Sequence, residues 1–143
     1  MAQVVKSWGA GAYDNESAQS IVSQLGYFGQ AARIDAVRVL LDDVLEDPDC
    51  VLDTSGAEAV AAAAMVAGRC AGGERYVPDF GPTGGGLPDF PRELYVRAAQ
   101  ALDVVLGPGS DLARDWALAD GGGAWRREVV RMRDLLRSSG DNR

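Results

Sequence analysis

Apolar residues recur at three- and four-residue spacing through successive stretches of the chain, the pattern of helices that bury one face. From Asn15 to Phe28, the residues Ala18, Ile21, Val22, Leu25 and Phe28 fall on one stripe. Asp14 or Asn15 supplies the side-chain acceptor that a helix start needs, and Gly26 and Gly29 end the segment. A second helix is predicted over 30–46, with Ile34, Val37, Leu41, Val44 and Leu45 inward, and Asp47-Pro48-Asp49 stops it. Proline disfavours helix at the residue before it. Thr54 or Ser55 caps a third, reaching to about Cys70, whose middle from Ala59 to Ala67 is almost entirely alanine, valine and methionine. Small side chains all round suit a central helix. A fourth covers 91–106, opened by Pro91 and carrying Leu94, Ala98, Ala101, Leu102 and Val105 at core spacing. Ser110 caps a short helix with Leu112 and Trp116, which Gly121-Gly122-Gly123 breaks, and a last helix runs over 125–137 with Trp125, Val129, Met132 and Leu136 inward.

The expected architecture is therefore all-α, a compact bundle of about five to six helices in one domain over 1–143. Residues 1–14 form an N-terminal arm, in which Gln3-Val4-Val5 is one short extended piece, and 138–143 form a frayed tail. The stretch GGERYVPDFGPTGGGLPDF, residues 72–90, is a Gly/Pro-rich loop longer than most connections. Tyr76, Val77, Phe80 and Leu87 are the side chains that would pin it to the helices.

Composition narrows the chemistry. At 143 residues, 47% hydrophobic and 24% charged, the chain can bury a core without metal or disulfide staples. Its net charge of −7 argues against nucleic acid as a partner, because backbone binding draws on clustered Lys and Arg. The longest apolar run, Val60 to Ala67, is too short for a membrane span. Met1 to Ala12 has no apolar core of a signal peptide, so a cytoplasmic location is expected, and Cys50 and Cys70 read as reduced, largely buried thiols. Lys6 is the sole lysine against thirteen arginines, and Ala, Gly, Val and Asp abound. This reads as the codon bias of a GC-rich bacterial genome, such as an actinobacterial one.

Histidine is absent, which removes the commonest general base and the commonest metal ligand together. No metal site or cofactor is expected. The run Gly81 to Pro88 lacks the Lys-Ser/Thr and the preceding strand of a phosphate-binding loop.

Three groups of residues stand out. The segment Trp8-Gly9-Ala10-Gly11-Ala12-Tyr13-Asp14-Asn15 reads first as an arm that plugs into the bundle and caps its first helix. Its functional alternative is a small polar pocket of Trp8, Tyr13, Asp14 and Asn15, with Trp116 added. Between Asp35 and Asp53 lie seven acidic residues against Arg38. Of these, Asp42, Asp43, Glu46 and Asp49 form a candidate acidic patch at a helix C-terminus, where carboxylates are disfavoured by the dipole. The last helix is the counterpart, with Arg126, Arg127, Arg131, Arg133 and Arg137 against Glu128 and Asp134. The acidic stretch, a second copy or another partner would each answer these arginines.

The WGAGAYDN opening, the Ala-rich third helix, and Ser110-Asp111-Leu112 followed by Trp116 together resemble domain-of-unknown-function family 4259. These are small bacterial proteins with a WGxGxFDND-type opening, an AAAE-type central helix and an SEL…LW segment before a tryptophan-led helix. The chain departs from that pattern at Ala64, where a glutamate is usual, and at Ala117 and Leu118, where acidic residues are usual. The resemblance implies a shared fold and a bacterial origin, and it brings no activity. The expected function is a non-catalytic acidic module that binds another, basic protein, of immunity or accessory type, more than an enzyme. The alternatives are a small enzyme or small-molecule or peptide binder built around Asp14 and Tyr13, and a homo-oligomer.

Overall fold

A computed structural model describes residues 7–82 and 84–141. The short extended piece expected at 3–5 lies outside the described residues. In chain order the elements are α1 (Glu16–Leu25), α2 (Gln30–Glu46), α3 (Asp53–Ala67), a 3₁₀ turn (Glu74–Tyr76), α4 (Arg92–Val105), α5 (Asp111–Leu118) and α6 (Gly122–Asp141). Among the described residues there is no strand, only two isolated bridges, Ser7 with Asn15 and Val51 with Ser110. The all-α expectation holds.

The alanine-rich α3 is the axis of the bundle. It packs against α1, α2, α4, α5 and α6, and every residue from Ala59 to Ala67 is buried. A methyl group on each face lets neighbouring backbones approach, which is why the helix carries almost no amphipathic pattern of its own. Around it, α4 lies between α2 and α6, contacting both. The pairs Arg38–Glu93 and Asp42–Arg97 advance together along α2 and α4, so these two run in the same direction. Arg92 with Gly140 and Arg133 with Asp103 run oppositely, so α6 is antiparallel to α4.

Several boundaries differ from expectation, each for a local reason. Helix α1 stops at Leu25 with Gly26 as its C-cap, in place of Phe28, which is left exposed. Helix α6 starts at Gly122 and continues to Asp141, in place of 125–137 and a frayed tail. Gly121 takes the left-handed turn, φ +84°, and a Cβ on Gly122 would lie 2.0 Å from the Trp116 carbonyl oxygen. The glycines therefore permit a tight reversal and an early restart, and Trp116 stacks on Trp125 at 5.8 Å across it. Helix α3 begins at Asp53, ahead of the expected Thr54 or Ser55 cap. Ser55 instead accepts from the Leu52 amide at 3.2 Å, inside the first turn. Cys70 is buried as expected, whereas Cys50 is exposed, because it sits in the turn after α2 and not on a helix face.

The long Gly/Pro segment is tied down by a residue outside it. Arg33 of α2 is buried, 3% exposed, and makes no ion pair with another described residue. Its Nε donates to Leu25 O at 2.7 Å and its Nη2 to Gly26 O at 3.2 Å, at the end of α1. The same guanidinium donates to Gly86 O at 2.9 Å and to Gly84 O, and it stacks over Phe80 at 4.2 Å. A planar fork with five donors can satisfy that many carbonyls at once. Tyr76 and Phe90 are buried, Phe80 and Leu87 half-buried, and Val77 exposed.

Candidate functional site

The N-terminal segment is built almost entirely of internal partnerships. Asn15 caps α1 by accepting from the Ala18 amide at 2.8 Å. Asp14 accepts from the Gly11 amide at 3.1 Å, while the Trp8 amide donates to Asp14 O at 2.9 Å. Glycine is required at both neighbours, since a Cβ on Gly9 or Gly11 would lie 2.5 or 2.7 Å from the Asp14 carboxylate. The Tyr13 hydroxyl donates to Tyr76 O at 2.7 Å, and burial pushes this phenol well above its ordinary pKa of 10.0. The arm thereby joins α1 to the 3₁₀ turn.

The five residues considered for a pocket are placed differently among the described residues. Trp8 is on the surface, 64% exposed, and Tyr13 is committed to Tyr76. Asn15 and Trp116 do meet, around a cavity of about 10 Å³ shared with Gly11, Ala12, Ala57 and Leu112. That is the room of a single water. A larger groove of about 320 Å³ lies nearby, between α1 and the loop, edged by Ser23, Tyr27, Asp79 and Phe80.

The acidic candidates present the opposite picture. Asp42 meets Arg97 Nε at 3.5 Å. Asp43, Glu46, Asp47 and Asp49 are exposed, and no ion pair joins them to another described residue. Asp43 lies close enough to Glu58 of α3 to matter: burial first, then the Asp43 charge, pushes the Glu58 carboxyl up. The arginines of α6 do not turn to this stretch. Arg133 and Arg137 meet Asp103 of α4, and Arg131 meets Glu128 at 3.7 Å, while Arg126 and Arg127 have no ion pair among the described residues.

A further cluster was not legible in the sequence. The Val51 amide donates to Gly109 O at 3.0 Å and the Asp111 amide to Val51 O at 2.8 Å, which sets the starts of α3 and α5 side by side. Asp53 then faces Asp115. Desolvation, the hydrogen bond to Asp115 and the charges of Asp115 and Asp111 push the Asp53 carboxyl up to about 7, with Arg114 opposing. Asp53 opens α3 and Asp115 lies mid-way along α5, and no spacing in the sequence marks the two as neighbours. The described residues hold no group of three or more Cys, Asp or Glu arranged for a metal ion. No helix among them is long and apolar enough to cross a membrane.

The model of the family described as domain of unknown function (DUF4259) matches residues 7–128. The chain belongs to that family, and the match runs from the arm into α6. No curated protein matches the chain, and no solved structure does.

Proposed function

We propose that this protein is a non-catalytic binding module of the bacterial cytoplasm, which docks a basic protein through the acidic end of α2. The observation that carries this reading is the state of Asp43, Glu46, Asp47 and Asp49, exposed and without ion pairs to other described residues. They crowd a helix C-terminus, where the dipole disfavours them, so they contribute nothing to folding that would explain their presence. A basic surface meeting them gains complementarity and a faster encounter. The missing histidine, and the small cavity at Asn15 and Trp116, point the same way, toward surface recognition.

The test is a tagged pull-down from the bacterial host with two baits, the wild type and Glu46→Gln/Asp47→Asn/Asp49→Asn. A basic protein retained in equal stoichiometry by the first bait and lost from the second is expected. Equal retention by both baits, or a clean wild-type elution, overturns the reading.

A further inference from the structure

Helices α2, α4 and α6 form one continuous outer face with a graded charge. Its α2 edge carries Asp35, Asp43 and Glu46 around Val39, which is 59% exposed. The middle is α4, presenting Val96, 45% exposed, and Gln100. Between α4 and α6 runs a groove of about 280 Å³ lined by Val96, Ala99, Gln100, Asp103, Arg137 and Gly140. The α6 edge carries Arg126, Arg127 and Arg131 beside Val130, with Asp134 held by Arg133 at 3.2 Å and Glu128 by Arg131 at 3.7 Å. Since α2 and α4 run together and α6 runs against them, the acidic end of α2 and the arginine-bearing half of α6 lie at the same end of the face.

We propose that this face is a docking surface for a second copy of the chain, with each acidic α2 edge over the cationic α6 edge of its mate and the two α4 helices in the middle. A negative edge, an apolar middle and a positive edge make a surface complementary to itself under a two-fold rotation, the commonest relation between identical subunits. Unpaired arginines near the start of a helix are disfavoured by its dipole, so Arg126 and Arg127, like the acids of α2, are placed where folding gains nothing. The size is adequate for a modest interface. Helices of 14 residues or more at ordinary spacing make a face of about 21 by 28 Å, on the order of 600 Å² per copy, at the low end of specific interfaces. The inference does not need the docking reading above, but it uses the same Asp43 and Glu46, so a second copy and a basic partner would compete for that edge.

Each copy carries −7, so added salt weakens the overall repulsion and the local attraction together. Charge reversal is the discriminating experiment. Sedimentation equilibrium would compare the wild type, Arg126→Glu/Arg127→Glu, Asp43→Arg/Glu46→Arg, and an equimolar mixture of the two variants. Both reversals favour their helix termini through the dipole, and circular dichroism checks that each variant is folded. Expected are a wild-type dimer, at least a roughly tenfold weaker dissociation constant for either variant alone, and recovery to within about threefold in the mixture. Arg69→Glu/Arg75→Glu, which changes net charge as the α6 variant does but on the 68–90 segment, should dimerise within about threefold of wild type. A monomeric wild type at about 500 μM, variants that dimerise as the wild type does, or a mixture that stays monomeric overturns the proposal. The α6 variant keeps the acidic edge intact, so its retention or loss of a basic partner judges the docking reading separately.

Discussion

The arm and the acidic end of α2 are both dense in polar groups, yet the bundle treats them differently. In the arm, Asp14, Asn15 and Tyr13 each spend their hydrogen-bonding capacity on a backbone group of the same molecule. At the end of α2, Asp43, Glu46, Asp47 and Asp49 have no ion partner among the described residues. A buried polar group must be satisfied internally because, left unpaired, it incurs its desolvation penalty with nothing to offset it, whereas an exposed carboxylate keeps its water and stays available. The more distinctive motif therefore does structural work, and the plainer run of charge is what remains free to meet something else.

Substitutions should split along the same line, stability on one side and association on the other. The largest effect is expected from Trp116→Ala, which removes a buried ring stacked on Trp125 and should cost about 3–5 kcal/mol in chemical denaturation. Arg33→Met should come next, at about 3 kcal/mol, because it strands the carbonyls of Leu25, Gly26, Gly84 and Gly86. Arg33→Lys keeps the charge but not the fork, and should recover only part of that loss. If either arginine variant unfolds no more easily than wild type, the clamp on the loop is not what orders it. Asn15→Ala, removing the cap on the Ala18 amide, should cost about 1 kcal/mol.

The carboxyl pair gives a pH signature. Asp53 rises from an ordinary 3.8 to about 7 in the folded chain, so between those values the folded state holds more protons than the unfolded one. Stability from this group therefore falls as pH rises from about 4 to 7 and is flat above that. Asp53→Asn keeps a donor for Asp115 and cannot ionise. Its unfolding free energy should gain on wild type across that window, reaching about 1 kcal/mol at pH 8 once solvent screening of this partly exposed group is allowed for. A constant offset from pH 4 to 8 would mean that the Asp53 carboxyl is not raised in the folded chain. Smallest of all, Asp47→Asn/Asp49→Asn should move stability by under about 0.5 kcal/mol while weakening capture of a basic partner. A large loss of stability there would erase the contrast between the two regions.

Much of the bundle was readable from spacing and punctuation. Helix α2 has the bounds 30–46 expected from Gly29 before it and Asp47-Pro48 after it, because caps and prolines act over a few residues and need no distant partner. Arg33 was passed over although it occupies the stripe of Val37, Leu41 and Val44, and a charge at a core position is itself a signal of a buried clamp. The candidate site was less legible. Trp8 and Trp116 look alike as pocket walls in the sequence, but one is on the surface and the other in the core.

What the sequence determined alone is local and periodic: the helices, their inward stripes, a cap at Asp14 or Asn15, the family opening from Trp8 to Asn15, and a chain without histidine. What the tertiary structure decided is which distant groups share a place. It put Arg33 against the carbonyls of a loop far along the chain, joined Asp53 to Asp115 through the Val51–Ser110 bridge, and aligned the arginines of α6 with α4 rather than with the acids of α2. Helix formation depends on neighbours three and four residues away, so it is written in the sequence order. Pairing across helices depends on the packing of the alanine axis α3, which sets where each outer helix lies and thereby which charges meet and which stay free.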